Sequence, residues 1–312
     1  MRWVARIVAT LGIVAVLWCA VTAWSAIAHA HPLYPILLGV TFVVCLVVLA
    51  ASFRGRRRLR VWRVVVGSLL AVFGVLWIGL LLWLCPLGAV EPALAAMESD
   101  GRVTVVESAT EIVMTPAGDP STTALFFQPG AKVDARAYAA VLRPVAEAGY
   151  PVVIAKQPVG IAFLASGAFE AARAANPQVT SWVVGGHSLG GTVAAMDAEA
   201  YGGDASAPVR CLLLLASYPA SDMSTSLTGD VLSVSASNDG LATPAKIEAS
   251  KQDLPASTQF LEIEGAVHAF FGDYGAQSGD GTPTISQDDA RAQISTAIVD
   301  FVTSCAAPAP GA

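Results

Sequence analysis

Charge is divided along this chain so unevenly that its two parts cannot share one solvent. Residues 1–90 carry eight arginines and no lysine, aspartate or glutamate, whereas residues 91–312 carry ten basic and twenty-four acidic side chains. The first part is +8 and the second −14, which together give the net charge of −6. An apolar, basic-only stretch belongs in a bilayer, and the acidic, Gly- and Pro-containing remainder belongs in water.

Three apolar runs, 4–28, 33–53 and 64–85, are each near the ~20 residues that cross a bilayer core. Only Arg6 interrupts them, near the edge of the first. Between the second and third runs lies Arg54-Gly55-Arg56-Arg57-Arg58-Leu59-Arg60-Val61-Trp62-Arg63, which the positive-inside rule assigns to the cytoplasm together with Arg2 and Arg6. The expected path is in, out, in, out: a multi-pass anchor that delivers everything after Cys85 to the extracytoplasmic face. Trp3, Trp24, Trp62 and Trp83 fall near the proposed ends, where interfacial anchors belong. A cleaved signal peptide ending near Ala28 or Ala30 is the alternative for the first run, and its apolar stretch is long for that role. His29 and His31 lack further ligand residues nearby, so no metal site is expected there.

Residues 91–102 read as a linker, 103–305 as one globular domain and 306–312 as a disordered tail. Two short β-rich runs, 103–107 and 111–115, form an expected hairpin. Apolar runs at 124–128, 151–156, 181–185, 211–217, 231–236 and 260–264 then alternate with helical patterns at 135–148, 161–175, 189–201, 244–254 and 290–304. Continuous apolar strands between amphipathic helices signify an α/β fold, a mostly parallel sheet covered on both faces. Pro144 should kink or shorten its helix.

Within this pattern one turn carries chemistry. Gly186-His187-Ser188-Leu189-Gly190 joins a strand to a helix, which is the context that gives G-x-S-x-G its meaning. Such a turn presents the Ser188 hydroxyl at the carboxyl edge of the sheet, beside a helix N-terminus. A serine needs a base. His187 adjoins Ser188, and neighbouring side chains on a turn diverge, which leaves His268 after the last strand. Asp239, after the strand 231–236, supplies the carboxylate, with Asp273 in reserve. Leu189 N–H is the first expected oxyanion donor, and the second comes from Pro129-Gly130-Ala131-Lys132, with Ala131 preferred over Gly130.

Five segments strengthen this reading: Phe127-Gln128-Pro129-Gly130-Ala131-Lys132-Val133-Asp134, Gly185-Gly186-His187-Ser188-Leu189-Gly190-Gly191, Leu215-Ala216-Ser217-Tyr218-Pro219-Ala220, Ser237-Asn238-Asp239-Gly240-Leu241-Ala242-Thr243 and His268-Ala269-Phe270-Phe271-Gly272-Asp273-Tyr274-Gly275. They resemble the signature blocks of a bacterial α/β-hydrolase family of the "alpha/beta hydrolase fold-5" type, distantly related to dienelactone hydrolases. The resemblance spans roughly 103–302 and implies the α/β-hydrolase fold with the triad Ser188, Asp239 and His268. That family favours Gly where Ala131 stands and Asn where Val267 stands. Dienelactone hydrolases use a cysteine nucleophile, so their substrate does not carry over to Ser188.

Only 218–230 separates two strands where cap domains are usually inserted, so no cap is expected. Tyr218 and the loop 269–285 should wall an open site for a small acyl substrate. Cys211 at a strand start and Cys305 at the end of the last helix belong at the opposite sheet edge, and a disulfide between them is expected on an oxidising face. No cofactor, metal or nucleic-acid partner is expected; the partners are a small-molecule ester and the lipid bilayer. The expected function is serine ester hydrolysis through an acyl-enzyme. The alternatives are an acyltransferase with the same triad and a catalytically silent membrane-anchored binding module.

Overall fold

A computed structural model describes residues 2–53 and 61–307. The arginine-rich loop at 54–60 and the tail from 308 lie outside the described residues. The chain divides into two compact units, Met1–Leu87 and Gly88–Ala312.

The first unit is helical: α1 (Arg2–Thr22), α2 (Trp24–His29), α3 (Leu33–Phe53) and α4 (Val61–Trp83). Three of its helices, over Arg2–Thr22, Leu33–Phe53 and Val64–Trp83, are long and apolar enough to cross a membrane. The first expected run, 4–28, is broken in two. Thr22 Oγ1 donates back to Trp18 O at 2.8 Å, a bond that competes with regular helix geometry, and Ala23 leaves the helical region at φ −130°, ψ 25°. Polar atoms inside the unit are satisfied internally: Arg6 binds Ser52 through Nε and Nη2, Tyr34 O–H donates to Leu81 O, and Trp77 Nε1 donates to Thr41 Oγ1.

In the second unit, eight strands form one sheet among the described residues: β1 (Val103–Glu107), β2 (Glu111–Pro116), β3 (Thr123–Gln128), β4 (Val152–Ala155), β5 (Ser181–His187), β6 (Val209–Leu215), β7 (Asp230–Ala236) and β8 (Gln259–Ile263). Their order is β1-β2-β4-β3-β5-β6-β7-β8. The β1–β2 and β2–β4 pairs are antiparallel and the others parallel. Every residue of β3, β4 and β5 is buried, which is why these strands read as unbroken apolar runs. Helices α5 (Ala139–Glu147) and α9 (Gln287–Ala306) pack on each other. A separate cluster joins α6 (Ala168–Ala175) and α7 (Leu189–Tyr201) to the sheet around Phe126, Phe169 and Trp182. The remaining helix, α8 (Pro244–Ser250), is capped by Thr243.

Three expected elements differ. The helix over 161–175 is instead two 3-10 turns, Pro158–Gly160 and Ala162–Ala165, followed by α6. The break inside the expected helix falls at Gly167, φ −96°, ψ 3°, between the second 3-10 turn and α6, and glycine is a poor helix former. The helix over 135–148 begins as a 3-10 turn, Ala135–Tyr138, and the α-helix that contains Pro144 is only nine residues long. The stretch read as a linker is packed: Ala93 is fully buried, and Arg143 Nη1 donates to Ala96 O and Glu98 O at 2.7 and 2.8 Å. At the other end α9 runs on through Ala306. Cys211, near the start of β6, and Cys305, in the last turn of α9, are joined by a disulfide with Cα atoms 6.2 Å apart.

Candidate active site

Ser188 sits where β5 ends and α7 begins, at φ 52°, ψ −124°. This conformation is one that side chains avoid, and the local sequence forces it. A Cβ on Gly190 would lie 2.0 Å from Gln128 O, and one on Gly186 would lie 2.4 Å from the Gly190 carbonyl carbon. Only glycines let the strand, turn and helix approach this closely. Ser188 N–H donates to Leu215 O, and Ser217 Oγ donates to Ser188 O at 2.6 Å, so both sides of the strained residue are held.

Asp239 and His268 are both buried, and His268 Nδ1 lies 2.8 Å from Asp239 Oδ2. The other carboxylate oxygen of Asp239 accepts from Leu241 N–H and Ala242 N–H at 2.7 and 2.8 Å. These two donors fix the orientation of the carboxylate. With Nδ1 facing a carboxylate, neutral His268 carries its proton there and leaves Nε2 as the basic atom. That atom is buried and has no hydrogen-bond partner. It makes no hydrogen bond to Ser188 Oγ among the described residues. Asp273, the reserve acid, points elsewhere: its Oδ1 accepts from Gln287 Nε2 at 2.9 Å and Arg291 Nε at 3.2 Å.

Of the expected oxyanion donors, Leu189 and Ala131 are half-buried, and neither N–H donates a hydrogen bond among the described residues. Gly130 differs. Its N–H donates to Tyr138 Oη at 2.8 Å, so Gly130 has no free donor to offer. The loop is braced by Lys132, at φ 62°, whose N–H donates to Gly160 O at 2.7 Å. Gln157 Nε2 braces it again through Gln128 Oε1 and Pro129 O, both at 3.0 Å. Tyr218 is half-buried, and its carbonyl accepts from Thr192 Oγ1 at 2.9 Å.

Two features were not legible in the sequence. His187 is buried under the base, with the His187 and His268 ring centroids 4.5 Å apart. Its Nδ1 lies 2.8 Å from Tyr138 Oη. Tyr138 Oη thus accepts from Gly130 N–H and shares a hydrogen bond with His187 Nδ1, linking the oxyanion loop to this ring. Burial, and after it the charge of His268, hold the His187 pKa well below the usual histidine value, so this ring stays neutral. The second feature is Asp280. Its Oδ1 accepts from His268 N–H and Gly240 N–H at 3.1 and 3.2 Å, and its Oδ2 accepts from Ala269 N–H at 2.8 Å. One carboxylate thus ties the loop of the acid to the loop of the base. Its flanking glycines were the available signal: a Cβ on Gly281 would fall 1.7 Å from Asn238 O.

The sequence profile of the alpha/beta hydrolase family matches residues 124–292, more than half of the chain and all of the site just described. The chain belongs to the alpha/beta hydrolase family. The structure of the esterase domain of a Rhodothermus marinus protein aligns with this hydrolase at TM-score 0.50 and 12% identity, covering 65% of this chain and 98% of that one. Est1E from Butyrivibrio proteoclasticus aligns at TM-score 0.47 and 13% identity, covering 65% and 98%. At 12% identity the likeness to the Rhodothermus marinus domain concerns the fold alone. No curated protein sequence matches the hydrolase.

Proposed function

We propose that this hydrolase cleaves carboxylic esters through an acyl-enzyme on Ser188. The observation that carries the reading is the buried Asp239–His268 pair at 2.8 Å, at the same sheet edge as a serine held at φ 52°. His268 Nε2 takes the Ser188 proton as Oγ attacks the ester carbonyl, and Asp239 stabilises the imidazolium. The oxyanion lies on Leu189 N–H and Ala131 N–H, each donor worth roughly 3 kcal/mol in the transition state. His268 then returns the proton to the leaving alcohol, and water, activated by the same nitrogen, releases the acid. The proton transfer requires Ser188 Oγ to come within bonding distance of Nε2, and such contacts commonly tighten only with substrate bound.

The hydrolase unit belongs on the extracytoplasmic side of a multi-pass anchor. Arg2, Arg6 and the arginines of 54–63 supply the cytoplasmic charge, and the Cys211–Cys305 disulfide suits an oxidising compartment.

The test uses the full chain in detergent with a small water-soluble fluorophosphonate and p-nitrophenyl butyrate. Ser188 should be the labelled residue, and Ser188→Ala should lower turnover by about 10⁴-fold or more. Labelling at another residue, or an active Ser188→Ala variant, refutes the assignment.

A further inference from the structure

We propose that the catalytic rim faces the bilayer, and that the substrate is an ester of a lipid-like chain drawn from it. This rests on the ester-hydrolase reading above and adds the substrate class.

The first observation is where the chain enters the hydrolase unit. Val90 N–H donates to Asp273 O at 2.8 Å, and Ala89 N–H donates to Asp134 Oδ2 at 3.4 Å. Asp134 closes the loop that carries Ala131, and Asp273 lies on the loop that begins at His268. The entry point is therefore pinned at the carboxyl edge of the sheet, the edge of Ser188. The last membrane-length helix ends at Trp83. From Trp83 to Ala89 there are six peptide steps, which reach at most ~20 Å even fully extended. A chain anchored by that helix cannot carry this rim far from the membrane surface.

The second observation is independent of the tether. The turn after β4 exposes two consecutive large apolar side chains, Phe163 at 47% and Leu164 at 58%. Ala162 and Ala165 on either side are buried and hold the turn in place. Gly160, in the preceding turn, accepts from Lys132 N–H, which sets the start of this segment against the oxyanion loop. Scattered exposed apolar residues are ordinary. A Phe-Leu pair in a segment that starts at the catalytic rim, on a chain whose entry is pinned to the same rim, has the bilayer within reach. Charge does not draw the unit there, since residues 91–312 are net −14 and are repelled by anionic lipid. The contact is apolar and insensitive to salt.

The experiment uses the full chain in phosphatidylcholine vesicles with two fluorophosphonates, one short and water-soluble, the other dissolved in the bilayer through a sixteen-carbon tail. In the double variant F163S/L164S, labelling of Ser188 by the bilayer-borne probe should slow at least tenfold, and labelling by the soluble probe should stay within twofold. Equal slowing with both probes, or with neither, overturns the proposal. Loss of a dimer with bilayer-borne labelling unchanged would mark the pair as a contact between copies and overturn it too. If the soluble probe fails to label the unaltered chain, the hydrolase reading falls and takes this one with it. If it labels and the variant loses no bilayer-borne reaction, this inference falls alone.

Discussion

The two edges of the parallel sheet are built on different principles. At the carboxyl edge, Lys132, Val159, Ser188 and Ala216 have φ between 44° and 62°, the positive-φ residues other than glycine among those described. They follow β3, β4, β5 and β6, so each of these four strands ends in a turn that side chains disfavour. The same edge holds buried polar atoms without partners, among them His187 Nε2, His268 Nε2 and Gln128 Nε2. At the opposite edge the positive-φ positions before β3 and β4 are glycines, Gly118 and Gly149, and a disulfide ties β6 to α9. Buried polar atoms without partners occur at both edges, with Ser181 Oγ, Trp182 Nε1 and Thr258 Oγ1 at the far one, but positive φ at residues other than glycine gathers where bonds are to be broken, and a covalent tie holds the far side.

Replacing both Cys211 and Cys305 by Ser tests the far edge and should have the largest effect. The disulfide spans 94 residues, so its loss should cost about 4 kcal/mol, or roughly 10 °C in Tm for a unit of this size. Ester turnover at 25 °C should be unchanged; a large fall in kcat would mean that the two edges are mechanically coupled.

Asp197, on α7, is 6% exposed, and burial pushes its carboxyl up to about 7, with the side-chain amide of Gln128 opposing the shift. A carboxyl whose pKa is raised on folding binds more protons in the native state, so stability falls as pH rises from about 4 through 7. Asp197→Asn should therefore stabilise the protein above pH 7, by on the order of 3 kcal/mol, and have little effect at pH 4. Thermal unfolding across that range checks the sign, and an equal gain at both ends would refute it. His187 acts in the opposite direction: with its pKa depressed, it withdraws stability as pH falls below the unfolded histidine value of about 6.5.

Asp280→Asn leaves four backbone N–H groups, those of Gly240, His268, Ala269 and Gly281, facing an amide. The loosened loops should lower kcat roughly 10- to 100-fold with KM nearly constant, since small displacements of catalytic groups are costly. Unchanged kcat would show that the triad is held without this clamp. The smallest effect is expected from Ser188→Gly, which removes activity yet should raise stability by about 1 kcal/mol, because glycine accepts φ 52° without strain.

Much of this architecture was legible because it follows from local rules. Apolar runs covered on both faces marked β3 to β7, and a G-x-S-x-G turn between strand and helix located Ser188 at their carboxyl edge. Order along the chain then picked out Asp239 and His268. What escaped depends on contacts between distant loops. No local pattern announces that Tyr138 will occupy Gly130 N–H, or that His187 will fold under His268 instead of diverging into solvent. Asp280 looked like one acidic residue in a Gly-rich loop until the chain closed around Gly240. The 3-10 turn Pro158–Gly160 escaped because Val159 adopts positive φ, which a β-branched residue takes only under tertiary constraint.

The packing of residues 91–102 has a consequence for shedding. A protease that nicked this stretch would not free the hydrolase cleanly, because Arg143 binds the carbonyls of Ala96 and Glu98 and Ala93 lies in the core. Clean release from the anchor requires a cut ahead of Gly88, within the few residues that follow Trp83. An isolated fragment starting at Val103 would begin life with part of its interior laid open.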